Sequence, residues 1–272
     1  MSDAIGASVN AAANADSHVH FERYDDIALV RLVRPSKLNT LTPSMLDDLE
    51  RIAREIEADA DLRVAVLAGS GERAFCVGAD INEWAALKPL DMWRRWVRRG
   101  HQVFDQWARL RQPVIAAING HAFGGGLELA LCADIRICAE HAQFALPEAS
   151  IATCPGWSGS QRLVQLLGSS RAKYLALSGQ RLTAQQALAG ALVHEVVASD
   201  GAVERAVTLA REMAAKAPIS LQLTKQLVNA AAGEATAVTL EAMAGALAAS
   251  TQDAAEGVLS FREKRAPSYT GQ

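Results

Sequence analysis

Pro113-Val114-Ile115-Ala116-Ala117-Ile118-Asn119-Gly120-His121-Ala122-Phe123-Gly124-Gly125-Gly126-Leu127-Glu128-Leu129-Ala130 is the stretch on which the fold turns. Val114 to Ile118 is an apolar run with β-branched residues, the pattern of a buried strand. Asn119-Gly120 marks a turn at its end. Leu127 to Ala133 reads as a helix, so a glycine-rich loop joins a buried strand to a helix N-terminus. Strands alternating with helices in this way argue for an α/β core.

The same stretch carries chemistry. Three consecutive glycines let backbone N–H groups approach a ligand with no Cβ in the way. At a helix N-terminus those groups favour developing negative charge. Glu128 falls on an apolar helix face, where a carboxylate is expensive unless it is paired or useful. A carboxylate beside such donors can move a proton next to a forming oxyanion, which suits a carbonyl or thioester. A second glutamate, Glu148, follows Pro147 in Phe144-Ala145-Leu146-Pro147-Glu148. Taken alone, it fits an exposed residue at a helix start equally well.

Outward from this centre the alternation continues. Strands are expected at Ile27 to Val33, Val64 to Ala68, Ile135 to Cys138 and Val193 to Val197. Thr42 and Pro43 open a helix as N-cap and first residue. Its apolar positions Met45, Leu46, Leu49, Ile52, Ala53 and Ile56 follow helical spacing. Asp80 caps a helix over Ile81 to Leu87, and Met92 to Leu110 forms another. Thr183 caps a further helix, and Ala202 to Ala215 is amphipathic. Segments from Ile219 to Asn229, Thr236 to Ala249 and Ala254 to Glu263 are helical. The expected organisation is a leader over 1–18, an α/β core over 19–200 and a helical region over 201–272.

The chain has 272 residues, is 50% hydrophobic and carries a net charge of −3. That is enough for a sizeable core, and a mildly acidic balance disfavours nucleic acid as a partner. No apolar run reaches the roughly 18 residues of a membrane span. Met1 to Asp16 lacks a secretory pattern and reads as a disordered leader. Cys76, Cys132, Cys138 and Cys154 form no C-x-x-C pair, so reduced, buried thiols in a cytoplasmic protein are expected. His121, His194 and the other histidines lack ligand spacing, and no metal site is expected. The glycine run matches no nucleotide-binding fingerprint and no G-x-S-x-G elbow. Met92-Trp93-Arg94-Arg95-Trp96-Val97-Arg98-Arg99 reads as an amphipathic helix with a solvated basic face.

The ordered motifs resemble the enoyl-CoA hydratase/isomerase, or crotonase, superfamily from about Phe21 to about Pro267. Arg34-Pro35-Ser36-Lys37-Leu38-Asn39-Thr40-Leu41 is similar to its early coenzyme-A-contacting turn. Ala74-Phe75-Cys76-Val77-Gly78-Ala79-Asp80-Ile81 is similar to its first oxyanion-hole segment. The quoted stretch resembles its signature, and Phe144 to Glu148 and Pro155-Gly156-Trp157-Ser158-Gly159-Ser160-Gln161-Arg162-Leu163 follow in order.

The resemblance implies a crotonase-like spiral of ββα units with a helical C-terminal trimerisation region, trimers commonly pairing into hexamers. It implies an enoyl-CoA hydratase of lipid metabolism, with no cofactor beyond the coenzyme A of its substrate and no membrane partner. The N–H groups of Ala79 and Gly125 would form the oxyanion hole. Glu128 and Glu148 would be the acid/base pair, Glu128 activating water and Glu148 donating the proton. Substrate contacts would come from Lys37, Leu38, Ala79, Asp80, Ile81, Gly124, Gly125 and Trp157. Phe261 and Lys264, in a tail similar to the family's C-terminal helix, would reach a neighbouring subunit's nucleotide. The same resemblance leaves open an enoyl-CoA isomerase, a carnitinyl- or methylglutaconyl-CoA hydratase and a C–C lyase. A non-catalytic acyl-CoA or RNA binder using the arginine-rich helix is the alternative from another class. Trp157 and Ala152 stand where small residue and glycine are common, so Trp157 is expected to remove volume from the acyl pocket or to add a stacking face.

Overall fold

The computed structural model describes residues 18–272. The expected leader over 1–18 lies outside them except for His18, which opens the first strand.

The larger sheet has six strands in the order β1 (His18–Tyr24), β2 (Ile27–Val33), β3 (Val64–Gly69), β5 (Val114–Ile118), β7 (Ile135–Ala139) and β10 (Glu195–Val197). β1 runs antiparallel to β2, and every other pairing is parallel. A smaller sheet joins β4 (Ala74–Cys76), β6 (His121–Phe123), β8 (Gln143–Ala145) and β9 (Leu182–Thr183) in that order, with β9 antiparallel to β8. The chain passes from β3 to β4, from β5 to β6 and from β7 to β8, each time leaving the large sheet for the small one. Helices follow each pair, so the mixed α/β fold repeats one unit.

The helices are α1 (Pro43–Ala58), α2 (Ile81–Trp84), α3 (Pro89–Asp91), α4 (Arg98–Arg109), α5 (Gly125–Ala130), α6 (Gly159–Ser178), α7 (Ala184–Ala189), α8 (Ala202–Ala214), α9 (Pro218–Ala231), α10 (Thr236–Ala249) and α11 (Gln252–Glu263). α1 starts as its sequence demands: Thr42 Oγ1 accepts from Met45 N, and Pro43 sits where a missing N–H costs nothing. It buries Met45, Leu46, Leu49, Ile52, Ala53 and Ile56, the face read from the spacing. Fully burying each large apolar side chain contributes about 1.5–3 kcal/mol. α6 breaks at Gly168, whose φ of 77° is open to glycine at little cost.

Strand alternation divides the core between the two faces of the large sheet. Ala65 and Leu67 join Leu46, Phe104 and Trp107 on one side. Val64, Val66 and Ala68 meet Ala206, Ala210 and Met213 of α8 on the other. The chain divides into two compact units, one ending at Gln222 and one spanning Leu223–Gln272. α8 therefore belongs with the sheet it covers, although its sequence reads as the start of a helical region.

Several expectations need correction. The helix expected over Met92 to Leu110 begins as a π-helical segment, Met92–Val97, before α4. The helix expected from Ile81 to Leu87 ends at Trp84, and the one expected from Leu127 starts two residues earlier. Cys154 is exposed, unlike the buried Cys76, Cys132 and Cys138. Among the described residues, no helix is long and apolar enough to cross a membrane.

Candidate active site

Two backbone segments meet at one end of a cavity of about 270 Å³. One is Gly78-Ala79, which follows β4. Leu41 N donates to Gly78 O and Asp80 N donates to Leu41 O, forming a parallel bridge. The intervening Ala79 N–H is turned away from that bridge. The other segment is Gly124-Gly125 at the start of α5, where the first N–H groups have no intrahelical partner. A Cβ on Gly125 would lie 3.6 Å from the Ala79 nitrogen, so the two segments are in contact. The φ of 51° at Gly124 calls for glycine, and a Cβ there would also crowd Glu148 Oε1 at 3.1 Å.

Glu128 projects from the first turn of α5 and is buried. Its Oε1 accepts from Trp157 N at 2.9 Å and from Gly159 N at 2.8 Å. The residue between them, Ser158, has a φ of 77°. That left-handed turn makes two nearby N–H groups converge on one oxygen, a nest for an anion. Burial pushes the Glu128 carboxyl above its ordinary pKa, opposed by these N–H groups and by the charge of Arg162. Arg162, one turn into α6, pairs with Asp105 at 2.7 Å.

Glu148 opens the 3₁₀ turn Glu148–Ile151 that follows β8, and it is 8% exposed. The exposed helix-start reading of this residue is therefore excluded. Its Oε2 is buried with no hydrogen-bond partner among the described residues. Burial pushes its carboxyl up to about 7, its own backbone N–H opposes the rise, and the nearby Glu128 adds to it. The two carboxyls thus differ: one is held by several backbone donors, and the other is buried with one oxygen unpartnered among the described residues and is poised to keep a proton near neutrality.

The cavity brings together Ala79, Ile81, Gly124, Gly125, Glu128, Glu148 and Trp157. Trp157 fills space and offers a face at once. Its buried ring packs 5.4 Å from Trp96 and 5.2 Å from Phe104, centroid to centroid. A Cβ on Gly125 would come within 3.0 Å of it. Ala152 is exposed with a φ of 55°, the backbone conformation that makes glycine common at such a position.

Lys37 and Leu38 do not line this cavity. Lys37 is exposed on the turn Pro35–Lys37, which is joined to the Ala79 segment through Val77 N to Leu38 O and the Leu41 bridge. Asp80 is occupied by other work: its Oδ2 pairs with Arg34 at 2.6 Å, and its Oδ1 caps α2 through Asn82 N. Burial opposes ionisation there, but Arg34 and Asn82 hold the carboxyl below its usual range. Phe261 and Lys264 belong to the second compact unit, exposed at the end of α11. Trp84, Met92, Trp96 and Ile151 also line the cavity without having been singled out as site residues. Trp96 alone had a signal, as an aromatic within a basic run and as part of a Trp93 to Trp96 stretch whose counterpart varies with acyl specificity in the resembled family.

Comparison with known proteins identifies the family of the chain. A family model described as enoyl-CoA hydratase/isomerase matches residues 22–272. The chain is 35% identical over 251 residues to the short-chain-enoyl-CoA hydratase of Clostridium acetobutylicum, covering 92% of this chain and 96% of that protein. It is 37% identical over 261 residues to the 2,3-dehydroadipyl-CoA hydratase of Escherichia coli (strain K12), covering 94% and 100% respectively. Among solved structures, the enoyl-CoA hydratase from Bacillus anthracis matches with a TM-score of 0.78 at 36% identity, covering 93% of this chain and 99% of that one.

Proposed function

Because the chain belongs to the enoyl-CoA hydratase/isomerase family, we propose that it adds water across the 2,3 double bond of a 2-enoyl-CoA. The observation that carries this reading is the meeting of two buried carboxyls with the Ala79 and Gly125 backbone in one cavity.

The thioester oxygen sits between the Ala79 and Gly125 N–H groups. Attack of water at C3 pushes the π electrons through C2 onto that oxygen, forming an enolate. Two donors aimed at it stabilise the charge, and losing one such donor typically costs ~10²–10³ in rate. Glu128, held as an acceptor by Trp157 N and Gly159 N, takes the proton of the attacking water. Glu148, with its carboxyl near pKa 7, delivers a proton to C2 as the enolate collapses. The sum is one water added to the alkene. The pair ends with its proton moved from Glu148 to Glu128, and exchange with solvent restores it.

The wider reading has this enzyme acting in the cytoplasm in lipid metabolism. Coenzyme A contacts come from Lys37, Leu38 and Ile81, and from Phe261 and Lys264 across a subunit boundary. It includes self-association as a trimer or a pair of trimers. In support, α10 and α11 expose Val238, Leu240, Leu247, Val258, Leu259 and Phe261, apolar side chains that a partner subunit would cover.

The test is the enoyl-thioester absorbance of crotonyl-CoA mixed with purified protein. Rapid loss of the band is expected. Glu128→Gln and Glu148→Gln should each lower kcat by ~10²–10⁴, the usual worth of a positioned acid or base. The wild-type rate should fall as pH rises through about 7, where Glu148 loses its proton. Unimpaired turnover in both variants would overturn the assignment.

A further inference from the structure

The acyl end of the cavity is unlike its reactive end. Past Gly125 the wall is made by Trp96 and Trp157, their rings tilted by 50°. The π-helical segment Met92–Val97 also contributes Met92 and Val97 to the lining. Such segments occur mostly as single inserted turns and often at functional sites. The Trp157 ring is only 3% exposed. It reaches α4, where a Cβ on Gly100 would lie 2.2 Å from its Nε1. The ring therefore fills the space running from Gly125 to Gly100. Among the described lining residues, the charged side chains are Glu128 and Glu148, both acidic. Arg94, Arg95, Arg98 and Arg99 are not among them; they line a separate cavity that shares only Trp96 with this one, and Arg99 there is engaged by Asp47 and Glu50.

We propose that Trp96 and Trp157 form the acyl-specificity wall of this site, admitting short uncharged enoyl groups and rejecting long ones and those tipped with a carboxylate. This rests on the hydratase reading above. A terminal carboxylate entering here leaves water, meets no cation and faces two acidic groups, which is expensive. Extra methylenes directed toward Gly100 collide with the Trp157 ring, which fills that space.

The experiment compares kcat/KM for crotonyl-CoA, 2-hexenoyl-CoA, 2-decenoyl-CoA and 2,3-dehydroadipyl-CoA. Hexenoyl-CoA and dehydroadipyl-CoA share a six-carbon chain and differ in the terminal carboxylate. Wild type should favour hexenoyl-CoA over dehydroadipyl-CoA by at least ~10²-fold, and crotonyl-CoA over decenoyl-CoA by at least ~10-fold, within the range that small pocket differences produce. Trp157→Ala should raise the decenoyl-to-crotonyl ratio by at least ~10-fold. Trp96→Ala, at a half-buried position, tests the same wall if the first variant does not fold. Calorimetric binding of the saturated hexanoyl-CoA and adipyl-CoA reads the wall without catalysis. Equal affinity for these two, or a chain-length ratio unmoved in both folded variants, overturns the proposal while leaving a hydratase. Turnover of none of the enoyl-CoAs, with hexanoyl-CoA still bound tenfold more tightly than adipyl-CoA, overturns the hydratase reading and keeps the wall.

Discussion

The two ends of the cavity are built from different materials. Backbone makes the reactive end: Gly78-Ala79 and Gly124-Gly125 present N–H groups, and Trp157 N and Gly159 N hold Glu128. Side chains make the acyl end: Trp84, Met92, Trp96 and the ring of Trp157. A backbone donor cannot be altered by replacing a side chain, so chemistry placed there tolerates variation nearby. A wall of side chains changes with each substitution. Trp157 spans both ends, its N–H serving the reaction and its ring limiting the acyl group.

The largest expected effect comes from Glu148, whose buried carboxyl at the reactive end costs the fold stability. The folded pKa of Glu148 is about 7, against an ordinary 4.5. Below about pH 4.5 both folded and unfolded chains hold the proton, and there is no penalty. As pH rises from there to about 7, the unfolded chain releases its proton and the folded chain keeps it, so stability falls with pH. Above about 7 the full penalty remains, up to ~3 kcal/mol at 1.36 kcal/mol per unit. Glu148→Gln should therefore raise stability at pH 8 by as much as that and change it little at pH 4, while lowering kcat by ~10²–10⁴. Urea unfolding at the two pH values checks this. A variant less stable than wild type at pH 8 would mean that Glu148 is held by structure, not strained by function.

The same division explains what was legible in the sequence. Local demands are written locally. Thr42-Pro43 starts α1, and the buried face of that helix follows its spacing. The glycine run announces a loop whose φ of 51° at Gly124 suits glycine. Glu128 and Glu148 read as a pair because the surrounding motifs resemble a family. Long-range demands leave no such mark. β4, β6 and β8 have three residues each, too few to show a period, and they are strands because neighbours pair with them. β1, an edge strand with mixed polar composition, has no apolar run to betray it. Trp96 lies in a π-helical segment, where spacing based on 3.6 residues misplaces a side chain. The need for Gly100 comes from a ring 57 residues later in the chain.

That pairing gives a smaller and more selective prediction. Gly100→Ala places a Cβ 2.2 Å from the Trp157 ring, and such overpacking should destabilise by about 1–3 kcal/mol. In a Trp157→Ala background the clash disappears. Gly100→Ala should then be neutral or stabilising by up to ~1 kcal/mol, because alanine favours a helix interior. A double-mutant cycle in urea reads the coupling. Additivity within about 0.5 kcal/mol would show that the ring moves aside freely and that the wall is soft.

The smallest effect is expected from the arginines beside the wall. Arg94, Arg95 and Arg98 are exposed, and Arg94 lies over the Trp93 ring at 5.8 Å from its centroid. An exposed cation over an aromatic ring contributes about 0.5–1 kcal/mol at most, and exposed substitutions away from special features stay within about 0.5 kcal/mol. Arg94→Ala and Arg98→Ala should therefore leave both the unfolding midpoint and the acyl-chain ranking close to wild type. Trp96→Ala, between them in sequence, should shift the ranking. Equal shifts from the arginine variants would place acyl selection in the charge of this segment instead of its aromatic face, and the division between a backbone end and a side-chain end would need a third, electrostatic, element.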